Sequence, residues 1–361
     1  PFPVAKDPKQ LDMVFLRETN AQISVSEGHK LTKSEATAVT GIDNVQWTAD
    51  FEASFLELAK QVENIYINTN EHYRAKLETQ TREDRFIAWC KEQFPKKNYE
   101  KSNFILQGLR GVKDPEEIAH IQQACDITEK GFKRVLGFVT PGVWEFEIEA
   151  EFAHIFLRNR SKGFAYTPII ASGANSNVLH YIENSQQCQA GELILIDVGA
   201  EYGNYSSDMT RTIPVSGRFT PRQRAVYDAV LKVKDEATQL LMPGVLWKAY
   251  HIEVGKLMSS ALVDIGLLTK KEVSDNAEAY KKYFMHGTSH HLGLDTHDYG
   301  LLDKPMQANM VFTVEPGIYI PDEGFGIRLE DDVVVQATGA PVNLMANIPI
   351  DPDEIEALMN P

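Results

Sequence analysis

The sequence predicts a mixed α/β (α+β) protein of two domains, 1–112 and 113–361, the second built from two related halves. Three observations carry this expectation. The chain has 361 residues, long for one core, so two domains are the default. A helix–Pro-Gly-Val–helix unit occurs twice, at Pro141-Gly142-Val143-Trp144 and again 102 residues later at Pro243-Gly244-Val245-Leu246. Each half also holds a candidate hairpin with one acid on each arm, Asp197 with Asp208 and Glu315 with Glu330.

The first domain reads as a small α/β unit. Met13-Val14-Phe15-Leu16 and Ile23-Ser24-Val25 have strand character. Phe51, Phe55, Leu58 and Val62 recur at helical spacing and predict a helix over 48–63. Ile65-Tyr66-Ile67 reads as a strand, 81–94 as a charged helix stopped by Pro95, and Phe104-Ile105-Leu106 as a last short strand. A boundary is expected near 111–114. Asp114-Pro115-Glu116-Glu117 is a helix start, with an N-cap acid, proline at the first helical position and acids in the first turn. That helix runs to about Leu136 with Ile118, Ile121, Ala124 and Phe132 on one face, and a second covers about 145–159. In the other half, Thr220-Pro221 opens a helix to about Leu241, and another follows the second Pro-Gly-Val. By themselves the Pro-Gly-Val sites read as turns. The acidic runs Glu145–Glu151 and Asp351–Glu356 read as solvated helix faces.

Composition excludes several functions. A net charge of −15 argues against nucleic acid as partner, since phosphate backbones require a basic face. No stretch approaches the roughly 20 apolar residues of a membrane span, so no membrane role is expected. Cys90, Cys125 and Cys188 form no CxxC pair and are an odd number, which reads as free thiols in a reducing cytoplasm.

The chemistry concentrates in four stretches. Residues 286–299 hold four of the ten histidines, His286, His290, His291 and His297, and such a tract usually binds metal or moves protons. Glu192–Gly199 is an apolar strand interrupted by Asp197. The chain then turns at Tyr202-Gly203-Asn204 and returns through Asp208, which is as far from the point between Tyr202 and Gly203 as Asp197 is. Glu315 and Glu330 are likewise equidistant from the point between Asp322 and Glu323. Hairpins folded at those points set each pair of acids face to face. Buried, facing carboxylates repel and need neutralising charge. Four carboxylates and an imidazole form a mostly hard donor set that suits Mn²⁺, with Fe²⁺, Co²⁺ or Zn²⁺ also possible. Two such ions about 3.5 Å apart can activate water and polarise a carbonyl, which is hydrolytic chemistry. Spacing does not choose the ligand among the four histidines.

Together, Ile196-Asp197-Val198-Gly199, Ser207-Asp208-Met209-Thr210-Arg211-Thr212, the tract from His286 to Asp298, Thr313-Val314-Glu315-Pro316-Gly317 and Gly326-Ile327-Arg328-Leu329-Glu330-Asp331-Asp332 resemble the pita-bread metallopeptidases, in their aminopeptidase P (Xaa-Pro aminopeptidase) branch. The resemblance covers about 113–361, and only loosely 9–110. It implies a pita-bread catalytic domain of two pseudo-symmetric halves, preceded by a smaller α/β N-terminal domain truncated at its front. It implies two divalent metal ions held by Asp197, Asp208, His290, Glu315 and Glu330. His180 and His297 would contact the substrate, with Arg328 positioning it. His286 and His297 would act on the tetrahedral intermediate, and Glu315 would accept the proton of the attacking water. The substrate would be a peptide with proline in second position, and the enzyme a homo-oligomer, dimer or tetramer. Relatives usually carry an aromatic residue where this chain has His291, which leaves that residue's role open. The alternatives are a prolidase acting on Xaa-Pro dipeptides, a methionine aminopeptidase, and a non-catalytic binding module of the same fold. Retention of all five ligand positions weighs against the last.

Overall fold

The computed structural model describes residues 12–20, 23, 30–69 and 79–360. Two compact units divide between Asn103 and Phe104.

In the first unit, β1 (Val14–Leu16) and β2 (Val45–Trp47) pair in parallel across α1 (Lys33–Thr40). After α2 (Phe51–Ala59), β3 (Asn64–Ile67) and β4 (Asn98–Lys101) do the same across α3 (Arg82–Gln93). Thr32 and Thr81 each close a capping box with the acid three residues on, satisfying the first free amides of α1 and α3. Ala59, Ile65, Ile67 and Cys90 form the core, with Phe55, Phe86 and Trp89 against it. The helix expected over 48–63 is shorter, because Val62 reaches the same core from the turn after it. Beyond Ile23, the strand expected at 23–25 lies outside the described residues. Phe104–Leu106 is not a strand but lies in α4 (Asn103–Gly111). A three-residue apolar run carries no period that separates the two.

The second unit contains α5 (Pro115–Leu136) packed on α6 (Glu145–Arg158), and α7 (Pro221–Gln239) on α8 (Trp247–Asp264). Around them lie two antiparallel three-stranded sheets. One is β5 (Ile169–Ser172), β6 (Leu193–Val198) and β9 (Met209–Pro214), with the short hairpin β7 (Glu201–Tyr202) and β8 (Tyr205–Ser206) beyond it. The other is β10 (Val311–Val314), β13 (Asp331–Val334) and β14 (Val342–Asn343), extended by the pair β11 (Gly317–Ile320) and β12 (Phe325–Arg328). Every residue of β6, β9, β10 and β13 is buried. Among the described residues no helix is long and apolar enough to cross a membrane.

The two Pro-Gly-Val sites are turns, and they are also equivalent anchors. Gly142 and Gly244 both take positive φ, and their amides donate to the carbonyls of Cys188 and Met306. The amides of Cys188 and Met306 return hydrogen bonds to Val143 and Val245. Each turn thus straps a chain segment ahead of its half's acid hairpin. Glu145, expected on a solvated face, is fully buried. It accepts from the Ser172 amide and hydroxyl, the Tyr181 hydroxyl and the Gln186 amide, which satisfies a carboxylate that burial would otherwise penalise.

The halves are joined behind the acids by Arg211, which is fully buried. Its guanidinium donates to the carbonyls of Thr210 at 3.0 Å, Glu330 at 2.7 Å and Pro349 at 2.9 Å, and to Asp331 Oδ1 at 2.7 Å. Lys234 Nζ and Asn343 Nδ2 take the other Asp331 oxygen. Burial alone would raise the Asp331 pKa, but Arg211 and Lys234 hold it well below the usual carboxylate range. Removing one partner of a buried pair costs more than the pair contributes, so Arg211→Met is expected to lower unfolding free energy by about 3–5 kcal/mol. Urea denaturation checks this, and a loss no larger than the roughly 1 kcal/mol of a surface pair would show the cluster is not structural.

Candidate metal centre

The second hairpin has the expected register. Gly317 faces Arg328, Val314 faces Asp331, and Glu315 and Glu330 lie opposite each other where the ladder passes from β10–β13 to β11–β12. The first is displaced by one residue from expectation. Tyr202 pairs with Tyr205 and Asp197 with Thr210, so the turn centres between Gly203 and Asn204. Both turn residues have positive φ, 60° and 72°, the requirement of the two-residue turn that matches strand twist. Asp208 therefore sits diagonally from Asp197 rather than facing it. The two strands approach closely at Gly199, where a Cβ would stand 1.7 Å from the Ser207 carbonyl oxygen. One hydroxyl joins the two acids: Tyr166 lies 2.6 Å from Asp197 Oδ1 and 2.5 Å from Asp208 Oδ1.

The third component is the strand-like backbone at His290–His291, whose His291 bridges Phe312 of β10. His290 Nδ1 lies 2.9 Å from the His291 carbonyl. A carbonyl can only accept, so Nδ1 carries the hydrogen and Nε2 is the nitrogen turned toward the acids. That Nε2 is 3.4 Å from Asp208 Oδ2 and 3.7 Å from Glu315 Oε1. Ligand atoms of Asp208, His290 and Glu330 all lie within 4.8 Å of one another. His291 points elsewhere. Its ring lies parallel to Trp247 at 6.2 Å and tilted against Phe312 at 4.4 Å, so close to Gly300 that a Cβ there would come 1.9 Å from Nε2. Burial and Lys113 push its pKa down to about 3, so it is a neutral packing residue. The geometry thus separates two adjacent histidines that spacing left equivalent.

His286 is also neutral, pushed down to about 3 by burial and by the Arg328 guanidinium. Nδ1 donates to the Gly287 carbonyl at 2.8 Å, Nε2 accepts from Tyr319 Oη at 2.8 Å, and Glu315 Oε2 is 3.6 Å from the ring. His297 is exposed, its ring edge-on to His290 with centroids 4.4 Å apart. His180 is exposed too, on the irregular segment after β5, near enough to His286 to disfavour its protonation. Arg328 is buried and occupied. It donates to Asp197 Oδ2 at 2.5 Å, Tyr319 Oη at 2.9 Å and Thr210 Oγ1 at 3.2 Å.

Four groups that the motifs did not single out complete the site. Tyr166 bridges the two aspartates, and nothing local marks it. Thr210 donates to Glu330 Oε2 at 2.7 Å, and Tyr319 joins Arg328 to His286. Their signal was available, since Thr210 is two residues from Asp208 and Tyr319 four from Glu315, a strand's same-face spacing. Asp332 Oδ2 accepts the Asp208 amide at 3.0 Å.

The electrostatics fit a divalent cation. Among the described residues Arg328 is the one fixed cation touching any of the four acids, through Asp197. Burial, then the neighbouring acids, raises the pKa of Asp208 and Glu330 well above the carboxylate range, and burial pushes Glu315 up to about 7. Such a cluster holds protons unless another positive charge replaces them, and the oxygen-rich donors with one imidazole are ligands for a hard or borderline ion.

Residues 119–337 match the profile of metallopeptidase family M24. The chain is 41% identical over 269 residues to Xaa-Pro aminopeptidase of Escherichia coli, a match covering 71% of this chain and 60% of that protein. It is 30% identical to human Xaa-Pro aminopeptidase 3 over 97% of this chain and 71% of that one. The fold superposes on zinc-substituted Escherichia coli aminopeptidase P in complex with product with a TM-score of 0.85 at 33% identity, covering 96% of this chain and 81% of that one. The chain spans about three fifths of the length of the bacterial relatives it matches.

Because the raised carboxylates release protons when a cation binds, metal binding is expected to strengthen with pH. The rise in Tm on adding Mn²⁺ to metal-free protein should be larger at pH 8 than at pH 5. His291, packed among rings away from the acids, shifts stability with pH in both samples and cancels in the difference. A rise that is equal at both pH values, or larger at pH 5, would exclude the carboxylates as the binding site.

Proposed function

The chain belongs to metallopeptidase family M24, and from that premise we propose that it is a metal-dependent aminopeptidase releasing the first residue of peptides with proline in second position. The observation that carries this is the convergence of Asp208, His290 and Glu330 within 4.8 Å, flanked by Asp197 and Glu315, in a buried site short of fixed positive charge. The five residues would hold two divalent ions, and the predominance of carboxylate oxygen favours Mn²⁺ over Co²⁺, Fe²⁺ or Zn²⁺. When bound, such ions lower the pKa of water and polarise a peptide carbonyl.

The remaining steps belong to the protein. Glu315 stands between His290 and His286 and takes the proton of the attacking water. Water oxygen adds to the carbonyl carbon preceding proline. The C–N bond then breaks, and the proton held by Glu315 passes to the proline nitrogen. His286 keeps its tautomer because Tyr319 and the Gly287 carbonyl occupy its two nitrogens. It stays neutral beside the acids, an orienting and polarising group rather than a counter-ion. His180 and His297 are exposed and offer imidazole edges to the substrate. Arg328 has donors on Asp197, Tyr319 and Thr210, so its part in substrate positioning runs through Tyr319 and His286.

On this view, 113–361 is the catalytic domain and 1–112 an N-terminal domain that helps form a dimer or tetramer. The cytoplasm is the proposed compartment, with which three free, buried cysteines agree.

The test uses the Mn²⁺-loaded chain with an Xaa-Pro-Yaa tripeptide, an Xaa-Pro dipeptide and a proline-free tripeptide. Only the first should be cleaved efficiently, and preference for the dipeptide would indicate a prolidase instead. Asp208→Ala and Glu330→Ala should each abolish turnover and reduce bound metal. Undiminished turnover in both would end the proposal.

A further inference from the structure

His297 lies in Gly293–Gly300, a segment with neither helix nor strand, yet its ring stands close to the His290 ring. The groups that fix this segment come from the start of the second unit. Arg110, near the end of α4, donates through Nη2 to Asp295 Oδ2 at 2.6 Å and to Asp298 Oδ1, and its guanidinium lies 5.0 Å from the centre of the Tyr299 ring. One planar cation therefore holds residues on both sides of His297. Asp298 is buried, its side chain 1% exposed, with Lys113 Nζ 3.7 Å from its second oxygen. The Asp298 amide donates to the His291 carbonyl at 2.8 Å, which ties the segment to the residue next to His290. Gly293 leaves the space: a Cβ there would meet Asp298 Oδ2 at 2.2 Å.

We propose that Arg110 is a positioning residue for His297, clamping Asp295, Asp298 and Tyr299 so that the exposed imidazole is held over the catalytic site rather than free to swing away. This rests on the role given to His297 under the proposed function. The clamp requires a guanidinium. Nη2 reaches both carboxylates while the guanidinium carbon lies over the Tyr299 ring, and an ammonium, whose charge sits at one point, does not cover both positions at once. Lys113 supplies charge beside Asp298.

The experiment is a double-mutant cycle on the full metal-loaded chain, with wild type, Arg110→Lys, His297→Ala and the double variant assayed on an Xaa-Pro-Yaa tripeptide. Displacing a catalytic group by about 1 Å can cost up to about a hundredfold, so Arg110→Lys should lower kcat/KM between about tenfold and a hundredfold. In the His297→Ala background the same change should cost nothing further. Losses that multiply in the double variant would overturn the proposal. Amide hydrogen exchange of the metal-free protein provides a readout independent of catalysis. Arg110→Lys should speed exchange in 293–300 and leave β6 and β13 protected, and unchanged exchange in 293–300 would also overturn it. If Arg110→Lys does not fold, Asp295→Asn, which removes one grip at an exposed carboxylate, takes its place with the same expectations. Should wild type cleave no Xaa-Pro peptide, the proposed function fails, while the exchange comparison still decides whether Arg110 holds the segment.

Discussion

Mutual repulsion among Asp197, Asp208, Glu315 and Glu330 is the constraint to which the second unit answers. Separate hairpins bring these acids together, Asp197, Asp208 and Glu330 buried and Glu315 partly so, where no full set of cations among the described residues offsets their charge. Four ionised carboxylates cannot persist there unaided. Hydroxyls from Tyr166 and Thr210 and the guanidinium of Arg328 offset part of the cost. The remainder is a standing demand for positive charge, met by protons or by metal. Elements around the site then serve to hold a repulsive arrangement in shape. Arg211 does so from behind, binding the carbonyls of Thr210 and Glu330, one from each hairpin.

The two halves share a scaffold but not its contents. Each Pro-Gly-Val turn straps a segment leading to an acid hairpin, through matching hydrogen bonds. Two residues after each valine the halves diverge. In the first, Glu145 reaches Ser172, Tyr181 and Gln186 and fastens the irregular stretch that carries His180. In the second, Trp247 stacks on His291 and Phe312 beneath the histidine tract. A polar clasp on one side and an aromatic stack on the other give a symmetric frame two different walls.

Local hydrogen bonding decides what each histidine can do. His290 has its Nδ1 hydrogen committed to a carbonyl and its Nε2 turned toward Asp208 and Glu315. His286 has both nitrogens committed and is kept neutral by burial and Arg328. His291 packs between rings. These three positions of one short tract carry identical side chains, and what each ring meets sets them apart.

Much of this was legible in the chain itself. The helix starts at Asp114 and Thr220 show because capping is local chemistry. The second hairpin's register shows because one turn and two flanking acids define it. The paired Pro-Gly-Val sites announce two halves because repetition needs no coordinates. The first hairpin was misplaced by one residue, since symmetry of spacing competed with the positive φ that Gly203 and Asn204 accept together. Phe104–Leu106 was misassigned because three apolar residues have no period, and Glu145 because a buried acid in an acidic run looks like its solvated neighbours. What only the tertiary structure decided are the contacts across long separations: Tyr166 on two aspartates, Arg328 on Tyr319, Arg110 around His297, and the aromatic packing of His291. Each depends on where remote backbone places a donor or a ring. The residues able to hold a metal are thus set by local sequence, and their selection and protonation by the packing that surrounds them.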